Sequence, residues 1–218
     1  MIIDLHTHTH PFSDDSRVSP DELISKAKTA GLDGICLTEH EHFWEEGEIE
    51  KLRTKHDFLV LPGVELNAEI GHVLVFGLHQ YLFGMHHLDF VRQKVDEAGG
   101  IIILAHPYRR RYREWESQSI SAAVDKACRE PEMRYIDAIE ALHDNASEMR
   151  NEFSHELCRR LNLKGTGGSD AHSLDDIPSC ATLFEREINS LDDLIQELKA
   201  GRFKAVDNRK PQLSIGLE

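Results

Sequence analysis

Five short apolar runs in this chain end in the same way. Ile2–Leu5 runs into His6 and His8, Gly34–Thr38 into Glu39 and His40, and Phe58–Leu61 through Pro62-Gly63-Val64 into Glu65. Ile101–Ala105 runs into His106-Pro107, and Lys164–Thr166 through Gly167-Gly168-Ser169 into Asp170 and His172. Every run has the length of a strand, and every one closes on His, Asp or Glu. In parallel α/β folds the C-terminal strand ends are where sites are assembled, the rest of each strand being scaffold. The pattern therefore predicts a fold that gathers these five ends in one place. His6-x-His8 also puts two imidazoles on one face of an extended segment, because strand side chains alternate with period two, and the same period joins Asp170 to His172.

Two further strands are predicted at Val73–Leu78 and Ile136–Glu140, with amphipathic segments between the runs. The clearest helix start is Ser19-Pro20-Asp21-Glu22: Ser19 caps the first amides, Pro20 suits the first helical position and Glu22 completes a capping box. Leu23, Ile24 and Ala27 supply its apolar face and Gly31 ends it. Other helices are expected at Leu88–Ala98, Ser119–Arg129, Ala146–Leu161 and Leu191–Lys199. Strand–helix alternation argues for an α/β architecture with mostly parallel strands, in one domain over residues 1–218.

A net charge of −14 points away from duplex nucleic acid and anionic membranes as nonspecific partners, since both repel an acidic surface. No apolar run approaches the roughly 20 residues that span a bilayer. No basic region followed by an apolar stretch opens the chain, so a cytoplasmic location is expected. Cys36, Cys128, Cys158 and Cys180 are scattered without a CxxC pair and are expected as buried thiols.

The side chains at the strand ends are all of metal-ligand type, and too numerous for one tetrahedral ion. Their order resembles the PHP (polymerase and histidinol phosphatase) family over essentially the whole chain. The marks are Asp4-Leu5-His6-Thr7-His8, Phe12-Ser13-Asp14-Asp15-Ser16 followed by Ser19-Pro20, Leu37-Thr38-Glu39-His40, Pro62-Gly63-Val64-Glu65, Gly71-His72-Val73-Leu74, Ala105-His106-Pro107 and Gly168-Ser169-Asp170-Ala171-His172. The resemblance implies a distorted seven-stranded (β/α)7 barrel. It also implies nine ligands to a trinuclear centre of zinc, iron or manganese: His6, His8, Asp15, His40, Glu65, His72, His106, Asp170 and His172. By analogy, His6, His8, Glu65 and Asp170 hold one ion. Glu65 bridges to a second carried by His72 and His106, and Asp15, His40 and His172 hold the third. Asp14 competes with Asp15, which is preferred because it lies four residues before Ser19. His72 opens a predicted strand instead of closing one, so His79, at the far end of that strand, is its rival. Glu39 stands where the family usually has Asp and is read as orienting an imidazole. His10 and His42 continue the alternation and are read as exposed or supporting.

The implied activity is hydrolysis of a phosphate ester, whether a small phosphomonoester, a nucleotide or a short oligonucleotide, by a metal-bound hydroxide. His143, just beyond Ile136–Glu140, is the expected acid for the leaving group, with His42 and Glu140 as alternatives. Arg109 opens a basic run, Arg109-Arg110-Arg111-Tyr112-Arg113, directly after His106-Pro107 and is the expected phosphate contact. Competing readings are a histidinol-phosphate phosphatase, an inactive metal-binding regulatory module, and a hydrolase of amides or cyclic esters.

Overall fold

The computed structural model describes residues 1–109, 119–143, 146–177 and 180–207. Arg110, Arg111, Tyr112, Arg113 and Pro211–Glu218 lie outside the described residues. In chain order the elements are β1 (Ile2–Thr7), α1 (Pro20–Thr29), β2 (Gly34–Leu37), α2 (Glu46–His56), β3 (Leu59–Pro62), β4 (Val64–Ala68), β5 (Gly71–Phe76) and α3 (Leu88–Ala98). They continue with β6 (Ile101–Leu104), α4 (Ile120–Ala127), β7 (Ala138–His143), α5 (Glu148–Leu161), β8 (Lys164–Gly168), β9 (Cys180–Phe184), α6 (Leu191–Lys199) and β10 (Phe203–Asp207). None of the described helices is long and apolar enough to cross a membrane.

Helix α1 forms as its sequence dictates. The Ser19 side chain accepts from the Glu22 amide, the Glu22 carboxylate accepts from Ser19, and Leu23, Ile24 and Ala27 are buried. Helix α3 ends at Gly99, whose φ of 70° is the left-handed conformation a C-cap glycine supplies without strain. Cys36, Cys158 and Cys180 are buried thiols, as expected, while Cys128 is only partly buried.

The strands make two five-stranded sheets, β10-β9-β1-β2-β3 and β4-β5-β6-β7-β8. β1, β2 and β3 pair in parallel, as do β6, β7 and β8. A closed seven-stranded barrel is therefore not what the described ladders form. The chain passes from one sheet to the other at Gly63, between β3 and β4. And β9 pairs antiparallel with Ile2 and Ile3, taking the edge of β1 that closure onto β8 would need. The sheets are nonetheless stitched at one rim by two isolated bridges, His40–Glu65 and Thr7–Ala171. Both stitches carry or adjoin predicted ligands.

Strand β5 runs antiparallel to β4 and to β6. Its N-terminal end thus lies beside the C-terminal ends of its neighbours. That is why His72 can join the site while opening its strand, and the apparent exception in the sequence pattern disappears. His79, at the other end, lines a separate cleft with Trp44, Arg53 and Leu191.

Candidate metal centre

Two carboxylates form the middle of the site. Glu65 on β4 and Asp170 after β8 are both almost fully buried. Glu65 Oε1 lies 2.7 Å from His72 Nδ1, 3.0 Å from His106 Nε2 and 3.4 Å from His6 Nε2. Its Oε2 lies 2.8 Å from His40 Nδ1 and 3.5 Å from His8 Nε2. Asp170 Oδ1 lies 3.1 Å from His8 Nε2 and 3.2 Å from His6 Nε2, and Oδ2 lies 3.3 Å from His143 Nε2. Arg109 also pairs with Asp170 Oδ2. Asp15 sits outside this pair, 3.3 Å from His40 Nε2 and 3.2 Å from His172 Nε2. All nine predicted ligands are thus brought together; Asp15 is exposed, as Asp14 is, but its carboxylate meets His40 and His172. Among the described residues, four groups place their donor atoms close enough to hold an ion: His6–His8–Asp170, His6–Glu65–His106, His40–Glu65–His72 and His8–His40–His172.

The hydrogen bonds around the cluster decide which imidazole nitrogens face inward. His6 Nδ1–H donates to Glu140 Oε1 at 3.0 Å. His8 Nδ1 lies 3.2 Å from Ser13 Oγ, which donates to Glu39 Oε2 at 2.6 Å. His172 Nδ1–H donates to the Asp170 carbonyl at 2.8 Å. Each Nδ1 is therefore committed to an oxygen outside the centre, so that in the neutral ring a ligand must be, Nε2 is the bare nitrogen pointing in. The His6 and His8 Nε2 atoms meet at 3.0 Å, and His172 Nε2 meets Asp15. Imidazoles crowd Glu65 Oε2 and Asp170 Oδ1, yet these two oxygens and His172 Nε2 are buried without a well-formed hydrogen bond among the described residues. Converging acceptors of this kind are able to hold a cation. The donor set, imidazole with carboxylate, suits a divalent transition metal.

Electrostatics agree. Burial alone would push the carboxyls of Glu65 and Asp170 up, yet the surrounding imidazoles, His6 first, hold both well below the usual range. Burial opposes charge on His6, but Asp170, Glu140 and Glu65 raise it well above its ordinary value. His8, where burial dominates, falls to about 4. Behind the cluster, burial lifts Asp4 to about 7 against the pull of Ser169 and His6. Asp4 Oδ1 accepts the amides of His6 and Ser169, tying β1 to the loop that carries Asp170.

Glu140, the end of the predicted strand Ile136–Glu140, lies inside β7 instead. It is buried, with Oε1 on His6 and Oε2 accepting the His106 amide at 2.8 Å, so both its oxygens are engaged by predicted ligands. Gly168 leaves the room for this, since a Cβ there would collide with Glu140 Oε1 and lie 2.7 Å from His6 Cβ. His42 stacks on Phe12 at 4.0 Å, and His10 is exposed, its amide bonded to the Val18 carbonyl. His106 and Asp170 have φ of 26° and 52°, so two of the gathered residues hold left-handed backbone, as strained positions at sites do.

A family model described as the PHP domain matches residues 4–160, and another, described as PHP-associated, matches residues 148–203. The chain belongs to the PHP domain family. Among curated proteins this PHP domain is similar to an uncharacterised protein of Methanocaldococcus jannaschii, 26% identical over 117 residues, 50% of this chain and 68% of the other. Among solved structures it resembles a two-domain protein of Bacteroides vulgatus described as containing a predicted PHP-like metal-dependent phosphoesterase. The TM-score is 0.67 at 19% identity, over 95% of this chain and 64% of that longer one. It also resembles an amidohydrolase of Chromobacterium violaceum with bound sulfate and no metal, with a TM-score of 0.62 at 15% identity over 94% of this chain and 98% of that one. At these identities the solved structures speak to the PHP-like mixed α/β fold.

Proposed function

We propose that this PHP domain, taken as one unit over residues 1–218, is a metal-dependent phosphoesterase acting on a small phosphate ester or nucleotide. The observation that carries the reading is the set of committed Nδ1 atoms, which turns the Nε2 atoms of His6, His8 and His172 toward Glu65, Asp170 and Asp15. Two to three divalent ions, zinc, iron or manganese, would be held by His6, His8, Glu65 and Asp170, by Glu65, His72 and His106, and by Asp15, His40 and His172. Such ions act as Lewis acids on a phosphoryl oxygen and make a water nucleophilic near neutral pH.

The remaining tasks fall to side chains. Arg109, 39% exposed beside Asp170, offers a guanidinium fork at the edge of the centre where a phosphate oxygen would arrive. His143 is buried, with Nε2 on Asp170 Oδ2 and its ring edge-on to His106 at 5.7 Å, close enough to carry a proton to a leaving oxygen. Changing His143 to Gln is expected to lower kcat by about 10² or more on an alkyl phosphate. The same change should matter far less on 4-nitrophenyl phosphate, whose leaving group needs no proton. Equal losses on both substrates would assign His143 a structural task instead.

Metal loading should release protons. His6 is held in its charged form by Asp170, Glu140 and Glu65, and a ligating imidazole must be neutral. Because a raised pKa keeps the proton bound at neutral pH, apparent affinity should rise with pH and fall in acid. Calorimetry in buffers of different ionisation enthalpy should report about one proton expelled per site occupied at His6. A binding enthalpy independent of the buffer would contradict this.

The function is tested by a phosphate-ester panel assayed with zinc, iron(II) and manganese(II), before and after chelation. Metal-dependent release of phosphate supports it. Turnover of amides with none of phosphate esters would replace it.

A further inference from the structure

We infer that Ser13 is a positioning residue that sets the tautomer of His8, with Glu39 fixing the direction of its proton. The inference rests on the metal reading above. A serine hydroxyl has one hydrogen to give and two lone pairs. In this chain all three are assigned. The hydrogen goes to Glu39 Oε2 at 2.6 Å. One lone pair faces His8 Nδ1 at 3.2 Å, and the other receives the His40 amide at 3.4 Å. As a carboxylate Glu39 accepts at both oxygens, Oε2 also receiving the Thr9 amide at 2.8 Å and Oε1 the Thr9 hydroxyl. With its hydrogen committed, Ser13 can meet His8 only as an acceptor. His8 must then carry its proton on Nδ1 and present a bare Nε2 to Asp170 and His6.

His6 reaches the same tautomer differently, through direct contact with Glu140. The two histidines of one motif are thus set by separate carboxylates, one acting directly and one through a hydroxyl. The same hydroxyl also holds the backbone of His40, whose ring stacks on His8 at 4.3 Å. Removing it loosens two neighbouring ligands, while Glu140 and His6 keep their own contact.

Long-range proton–nitrogen correlation spectra of the histidines, taken on chelated protein, read the tautomers directly and do not depend on activity. Wild-type His8 should show Nδ1–H. Ser13→Ala should show a mixed or inverted pattern at His8 with His6 unchanged, and metal affinity should fall about 10- to 100-fold, the range for losing an orienting partner. Glu39→Gln is the folding-neutral companion. Its amide oxygen can replace Oε2 while its NH2 group donates to Thr9 Oγ1, so His8 should keep Nδ1–H. Ser13→Ala protein that retains a pure Nδ1–H His8 and wild-type affinity would overturn the proposal. So would a wild-type His8 that carries its proton on Nε2. Wild-type protein with the expected tautomers that binds no metal would instead overturn the metal reading and leave the relay standing.

Discussion

Replacing Glu65 by Gln should strip the site of most of its metal and lower kcat/KM by at least about a thousandfold. That is the loss expected when several kcal/mol of Lewis-acid stabilisation disappear at 1.36 kcal/mol per tenfold. The size of the effect follows from position. One carboxylate faces five imidazoles, those of His6, His8, His40, His72 and His106. It also lies on the strand whose bridge to His40 joins the two sheets. Gln fills the same volume, so the fold should persist, as circular dichroism would check. Its amide group, however, supplies no charge and turns an NH2 toward nitrogens that must act as acceptors. Elemental analysis and initial rates on the variant measure the outcome, and wild-type turnover by the Glu65→Gln protein would refute the bridging role.

The second large effect is expected at Gly168, where stability and site meet. An added methyl would collide with Glu140 Oε1 and sit 2.7 Å from His6 Cβ, both buried. Overpacking of this kind costs about 1–3 kcal/mol, equivalent to roughly 2–12 °C in Tm for a chain of this size. Because the atoms pushed aside belong to a proposed ligand and to the carboxylate bonded to it, Gly168→Ala should lose metal affinity together with stability. Gly47 in α2 is the control, since nothing lies within 4 Å of a Cβ added there. Gly47→Ala should leave metal content unchanged and stabilise the helix by up to about 1 kcal/mol. Thermal unfolding of the two variants separates a specific clash from a general intolerance of substitution.

Much of this site is legible in the sequence because a ligand at a strand end declares itself locally. His6, His8, His40, Glu65, His106, Asp170 and His172 follow strand-forming runs, and the structure gathers them. Asp15 is separable from Asp14 in the sequence only by its distance to Ser19, a weak signal that the pairing with His40 and His172 supports. His72 breaks the pattern because strand direction is a property of the sheet, and nothing in Gly71–Phe76 states that it runs antiparallel. Glu140 and Ser13 act through partners that no motif joins to them: Glu140 meets His6 across 134 positions, and Ser13 meets Glu39 across 26.

The barrel expectation failed for a related reason. Cys180–Phe184 and Phe203–Asp207 are only five residues each, yet pairing of β9 with β1 removes the edge a closed barrel requires. Helix α2 is hidden in the sequence because only Ile49 in Glu46–His56 is buried, leaving no apolar stripe to reveal it. Its ends are set by the Glu45–Glu48 capping pair and by Asp57 in the left-handed conformation, at φ 47°.

The central claim is that these histidines and carboxylates are arranged to hold metal. Elemental analysis of the purified protein, repeated after chelation and reconstitution, tests it most directly. Two to three equivalents of zinc, iron or manganese per chain, falling to one or none in Glu65→Gln, is the predicted result. A folded wild-type protein that stays metal-free after reconstitution with all three would contradict the account.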